Sequence, residues 1–157
     1  MSHTLEFETT ITNQEALIRA LKRMGVPENL IEVHETAACL RTYHTEEYKK
    51  AHVIVRRSLE NGCHWMGRHS DIGWERNEDG VFVGHLDEFN YEVLFHADKE
   101  WQQRLYTYCN VETLKIEYER QGMEYTETLD AQKRIVLRAK FKTAPVTANR
   151  IKTHTTR

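Results

Sequence analysis

Residues 71–87, DIGWERNEDGVFVGHLD, constrain the fold of this chain more than any other stretch. Two alternating runs flank Asn77 to Gly80, and the Asp79-Gly80 pair is a strong signal for a tight turn between antiparallel strands. Because side chains alternate along a strand, Ile72 and Trp74 share one face of the first run. Phe82 and Gly84 share one face of the second, and His85 falls on the opposite face with Val81 and Val83. A chain with this hairpin at its centre is expected to build an antiparallel sheet.

The flanking segments supply the rest of that sheet and its cover. In LEFETTI, Leu5, Phe7, Thr9 and Ile11 alternate with Glu6, Glu8 and Thr10, the pattern of a half-buried strand. TNQEALIRALKRMG predicts a helix of about three turns: Ala16, Leu17, Ala20, Leu21 and Met24 form one apolar face, Thr12 and Glu15 have capping-box spacing, and Gly25 is the stop. After Pro27, LIEVHETAACL and AHVIVRR read as strands, and NGCHWMGRHS (61–70) as a loop. DKEWQQRLYTYCNVETLKIEYERQG predicts a longer helix with Trp101, Leu105, Tyr108, Val111, Leu114 and Tyr118 on one stripe, Asp98 as cap, Asn110 as a point of bending and Gly122 as stop. MEYTETLDAQKRIVLRAKF gives a second hairpin around Asp130 to Lys133. This order predicts an α+β fold: one domain over residues 1–143, mainly antiparallel sheet with two helices packed on one face, followed by a flexible basic tail at 144–157.

Composition narrows the classes. With 39% apolar and 29% charged residues the chain has the balance of a soluble folded domain. No run approaches the roughly 18 apolar residues of a spanning helix, and MSHTLEFETT has neither the basic nor the apolar region of a signal peptide. A cytoplasmic protein with no membrane partner is expected. Cys39, Cys63 and Cys109 are odd in number and form no C-x-x-C, so reduced thiols are expected. The net charge of −2 gives the chain as a whole no footprint for nucleic acid; the tail APVTANRIKTHTTR is the local exception, with Arg150, Lys152 and Arg157 and no acid.

Three stretches in order carry a resemblance: MSHTLEFETTITNQEALIRALKRMG, DIGWERNEDGVFVGHLD and QGMEYTETLDAQKRIVLRAKF. Together they resemble the conserved hypothetical reading-frame family of plastids and cyanobacteria, a domain of unknown function that opens Met-Ser-His and has a central Asp-Ile-Gly-aromatic hairpin. The resemblance covers residues 1 to about 143. It implies no activity; it does imply an accessory role with a protein partner of the AAA-type ATPase class. Thr4, the longer segment from Glu28 to Tyr48 and the basic tail depart from the family pattern.

Chemistry-bearing residues concentrate around the central hairpin. Cys63, His64 and His69 offer only one half of a zinc-ligand spacing, so neither a metal nor another cofactor is expected. The chain has no G-x-S-x-G, H-E-x-x-H or G-x-x-x-x-G-K-[ST], and no catalytic residue is assigned. His69 with Asp71, or His85 with Asp87, could pair an imidazole with a carboxylate. The expected function is a non-enzymatic binding or accessory module that takes a protein or small ligand through His69, Asp71, Trp74, Arg76, His85 and Asp87. Within that set Trp74 is expected in the core and His85 at the surface. One alternative is an RNA- or nucleotide-binding module that stacks bases on Trp65, Trp74, Phe82, Phe89, Tyr91 and Phe95 with help from the tail. A small hydrolase using the histidines and aspartates is the other. Open edge strands leave the oligomeric state undecided.

Overall fold

The computed structural model describes residues 4–42, 49–58, 70–88, 91, 92, 96 and 98–142. The tail from 144, Cys63, His64, Trp65, His69, Phe89 and Phe95 lie outside these residues. The chain divides into two compact units, Met1–Glu112 and Thr113–Arg157.

In the first unit β1 (Thr4–Phe7), β2 (Ile31–Cys39), β3 (Lys50–Val55), β4 (Ile72–Arg76) and β5 (Phe82–Asp87) form one sheet in the order β1-β5-β4-β3-β2. Every neighbouring pair is antiparallel. β2 to β5 are a meander, and β1 adds to the far edge beside β5. The link from β1 to β2 must therefore cross the sheet from one edge to the other, and α1 (Gln14–Arg23) lies on that crossing. Its cap is Asn13, one residue later than the capping-box spacing predicts: Asn13 is extended and its side chain accepts from the Ala16 N–H at 3.0 Å.

The helix-covered face follows the predicted alternation. Val53, Val55, Ile72, Trp74, Phe82 and Leu86 point to it and pack with Leu17, Ala20 and Leu21 of α1 and with Trp101, Leu105 and Cys109 of α2 (Trp101–Arg120). Two helices thus cover one face of a mainly antiparallel sheet, as the pattern predicts. Phe7 lies across Gly84, its register partner, and meets Trp101 edge to face at 6.0 Å. A Cβ at Gly84 would collide with the Phe7 ring, which explains a glycine inside a central strand. Gly80 has φ 78°, the left-handed geometry its turn requires. On the other face Leu40, Ala51 and Ile54 form a small second cluster. β2 breaks register between Val33 and Ala38, the weaker of the two strand signals in that region.

α2 runs without a break at Asn110, whose side chain is exposed, and in the second unit continues to Arg120; Gly122 then turns the chain at φ 70°. β6 (Met123–Leu129) and β7 (Ile135–Phe141) pair along their whole length around the predicted turn. The helical stripe changes character at the unit boundary: Trp101, Leu105, Cys109 and Val111 are buried, whereas Leu114 is exposed and Tyr118 packs against Tyr125 at 6.2 Å.

Candidate functional site

The two faces of the central hairpin separate residues that the sequence groups together. Trp74 is fully buried under the helices, so it is a core residue and leaves the set of candidate contacts. Arg76 shares the Trp74 face at its rim: the guanidinium sits 5.1 Å over the Phe82 ring and donates to Gln14 Oε1 at 2.6 Å. Of the aromatic platform for bases, Trp74 and Phe82 are buried and Tyr91 packs against the core, while Trp65, Phe89 and Phe95 lie outside the described residues.

His85 corrects the expectation of a surface histidine: it is only 2% exposed. Its carboxylate is not Asp87, two residues along. The register places Gly73 opposite His85 and Glu75 opposite Val83, and from that diagonal Glu75 Oε2 reaches His85 Nε2 at 2.8 Å. Glu6, the register partner on β1, lies 3.8 Å from His85 Nδ1, beyond hydrogen-bond range. Nδ1 is buried without a hydrogen-bond partner among the described residues. Lys49 holds Glu6 at 2.9 Å and, by that hydrogen bond and its charge, keeps the Glu6 carboxyl below the usual range.

These groups border a cavity of about 340 Å³. His85 and Val83 line it together with Glu6, Glu75, Arg76, Asn77 and Glu78. Three carboxylates face one guanidinium, Arg76, and Lys49 already pairs with Glu6, so the lining is acidic by a modest excess. Among the described residues no group of three or more His, Cys, Asp or Glu is arranged to hold a metal ion.

Asp71 has a different task. It is fully buried and accepts from the Arg41 N–H at 2.6 Å, the Arg57 N–H at 2.8 Å and Arg56 Nη1 at 2.7 Å. Arg56 in turn reaches Glu32 at 2.7 Å and the Cys39 carbonyl at 3.1 Å. The Arg56 hydrogen bond is the main cause that holds the Glu32 carboxyl down at about 2. Asp71 thus ties the backbone at Arg41 to the backbone at Arg57 and to the Arg56 side chain, a structural task inside the fold. His69 lies outside the described residues, and Asp87 is buried. The structure brings His85 and Arg76, both of the predicted set, to one cavity with Glu6, Glu75 and Glu78, none of which stands out in the sequence. The one available signal was register: with β1 beside β5, Glu6 falls opposite His85.

No family model, no curated protein and no solved structure matches this chain. None of these comparisons bears on the plastid and cyanobacterial resemblance.

Proposed function

We propose that the chain is a non-enzymatic binding module whose acidic cavity holds the cationic, N–H-donating end of a small molecule. One observation carries this reading: the buried Nδ1 of His85 at the cavity wall has no hydrogen-bond partner among the described residues. With the Nε2 proton donated to Glu75, Nδ1 presents a lone pair toward Glu6 Oε1 3.8 Å away, so two acceptors face each other. A second proton on the ring does not cure this, because 3.8 Å is too long for the bond. A single ammonium or guanidinium nitrogen about 2.9 Å from each acceptor closes the triangle. The cavity volume suits the head of a small ligand.

Calorimetric titration with 1,4-diaminobutane, agmatine and butylammonium tests this. Saturable binding by at least one of them is expected, lost in His85→Phe and weakened about tenfold or more in Glu75→Gln, with melting temperatures measured beside it. Absence of heat with all three, or unchanged binding in a folded His85→Phe protein, sinks the proposal.

A further inference from the structure

Among the described residues β6 and β7 have one neighbouring strand each, so both are sheet edges, as β1 and β2 are in the first unit. An open edge invites another strand, and proteins blunt it with short strands, bulges or cations. β1 has only four residues, β2 breaks register between Val33 and Ala38, and β7 carries Arg138 and Lys140. β6 has none of these devices. It reads MEYTETL, without lysine, arginine, proline or glycine, and pairs with β7 over its whole length without a shift. Its two charges are Glu124 and Glu127, and Lys115 holds Glu127 at 3.1 Å.

The order of residues along β6 is complementary to itself. When β6 pairs antiparallel with β6 of a second copy about a twofold axis at Thr126, Met123 opposes Leu129, Glu124 opposes Thr128, Tyr125 opposes Glu127 and Thr126 opposes itself. No like charges are opposed. Within one chain Leu129 stands opposite Ile135 and Met123 opposite Phe141, all on one face. Leu129 and Phe141, 65% and 69% exposed, thus sit at opposite ends of the hairpin. The twofold pairing joins those ends: an apolar row runs from Ile135 and Leu129 of one copy to Met123 and Phe141 of the other, and symmetry makes the row twice. The same operation on β7, whose middle residue is Arg138, sets Arg138 against Arg138.

We infer that β6 is a self-association edge at which two copies of this chain join into a four-stranded antiparallel sheet ordered β7-β6-β6-β7. A two-stranded ribbon is marginal in water, and the added strands bring it to the number at which sheets stand securely. Charge selects the same edge. Up to Glu112 the sequence has 12 lysines and arginines against 19 aspartates and glutamates, a net −7; from Thr113 on it has 10 against 5, a net +5. Two basic units repel, and joining them at β6 keeps Arg138 and Lys140 on the two outer strands. Those outer edges resist a further strand, so the assembly closes at two. The edge is independent of the cavity at His85.

Sedimentation velocity of the full chain from about 1 μM to 1 mM, the range in which a small interface populates, tests this across a salt series. A monomer–dimer equilibrium is expected, tightening as salt screens the like charges of the two units. Thr126→Glu places like charges at the twofold axis while giving Arg138 an opposite-charge neighbour within the chain, and should weaken the dimer about fivefold with the hairpin intact. Leu129→Gln should weaken it about tenfold, since its contact is lost twice. In a Cys39→Ser/Cys63→Ser background, Thr126→Cys should cross-link two copies under mild oxidation, because only this position meets itself; Thr128→Cys should not. Circular dichroism confirms that each variant is folded. The inference is overturned by a monomer throughout the range, by a dimer that Thr126→Glu and Leu129→Gln leave unchanged, or by equal cross-linking at 126 and 128. Species that grow beyond two with concentration overturn it and assign β6 to the β7 edge of the next copy. Association that tightens as salt falls overturns it and assigns the contact to the basic unit of one copy and the acidic unit of another.

Discussion

The two units solve the problem of staying folded in different ways. In the first, a five-stranded sheet and two helical faces bury Trp74, Trp101 and Phe82 completely, and even charged groups such as Asp71 are drawn inside and saturated with partners. In the second, no described residue from Thr113 to Lys142 is fully buried. Its hairpin is held by a complete ladder, by ion pairs such as Lys115–Glu127, and by the Tyr118–Tyr125 contact with Tyr125 donating to Glu119. An isolated two-stranded ribbon is marginal in water. Three of the four large apolar side chains exposed among the described residues, Leu114, Leu129 and Phe141, belong to this unit. The difference teaches where each unit can place function. The core-rich unit holds an imidazole with one unsatisfied nitrogen at a cavity wall, whereas no described residue of the second unit is buried and its sequence is basic.

Mutations that remove buried volume should separate the units most sharply. Trp74→Ala is expected to cost about 3 to 5 kcal/mol, read by urea denaturation, while Phe141→Ala stays within about 0.5 kcal/mol. A loss of several kcal/mol in Phe141→Ala would show that the second unit hides a core of its own. Asp71→Asn comes next: the neutral amide keeps the shape but weakens the bond to Arg56, for about 1.5 to 3 kcal/mol. Little change there would mean that the clasp on residues 41, 56 and 57 is dispensable. Gly84→Ala pushes a methyl into the Phe7 ring, an overpacking that costs about 1 to 3 kcal/mol. Pairing it with Phe7→Leu should recover part of the loss, because the obstructing ring is gone.

The smallest effects are electrostatic. Glu32 has a folded pKa of about 2, below the usual 4.5, so its contribution to stability is complete above pH 4.5 and fades as pH falls toward 2. Glu6, also lowered, acts with the same sign. Acid titration of Glu32→Gln should accordingly show a shallower loss than the wild type over that range; parallel curves would dissociate Glu32 from the acid transition. Lys140→Gln should leave stability within about 0.5 kcal/mol at any salt concentration, since it has no described partner to lose.

Periodicity decided much of this architecture from the sequence alone. Alternation around Asp79-Gly80 was enough to place Ile72, Trp74 and Phe82 on one face and Val83 and His85 on the other, because a strand's side chains have only two directions. The same rule, together with the helical spacing of Leu17, Ala20 and Leu21, predicted an antiparallel α+β sheet with helices on one side. What periodicity does not carry is which strands become neighbours. Only the pairing of β1 with β5 sets Glu6 opposite His85, and only the diagonal across β4 and β5 brings Glu75 to its ring. Reading His85 with Asp87 used the nearest carboxylate in sequence, whereas the hydrogen bond goes to Glu75, a diagonal neighbour across β4 and β5 that only the strand register brings within reach. Burial is equally a property of the assembled sheet: His85 lies against β1 and β4, not in solvent, since the edge beside β5 is occupied. The charge division at Glu112 was present in the sequence throughout, yet it falls inside a continuous helix with no proline, glycine or loop to mark it. Only the tertiary structure, by ending the buried stripe of α2 there, shows where one unit stops and the other begins.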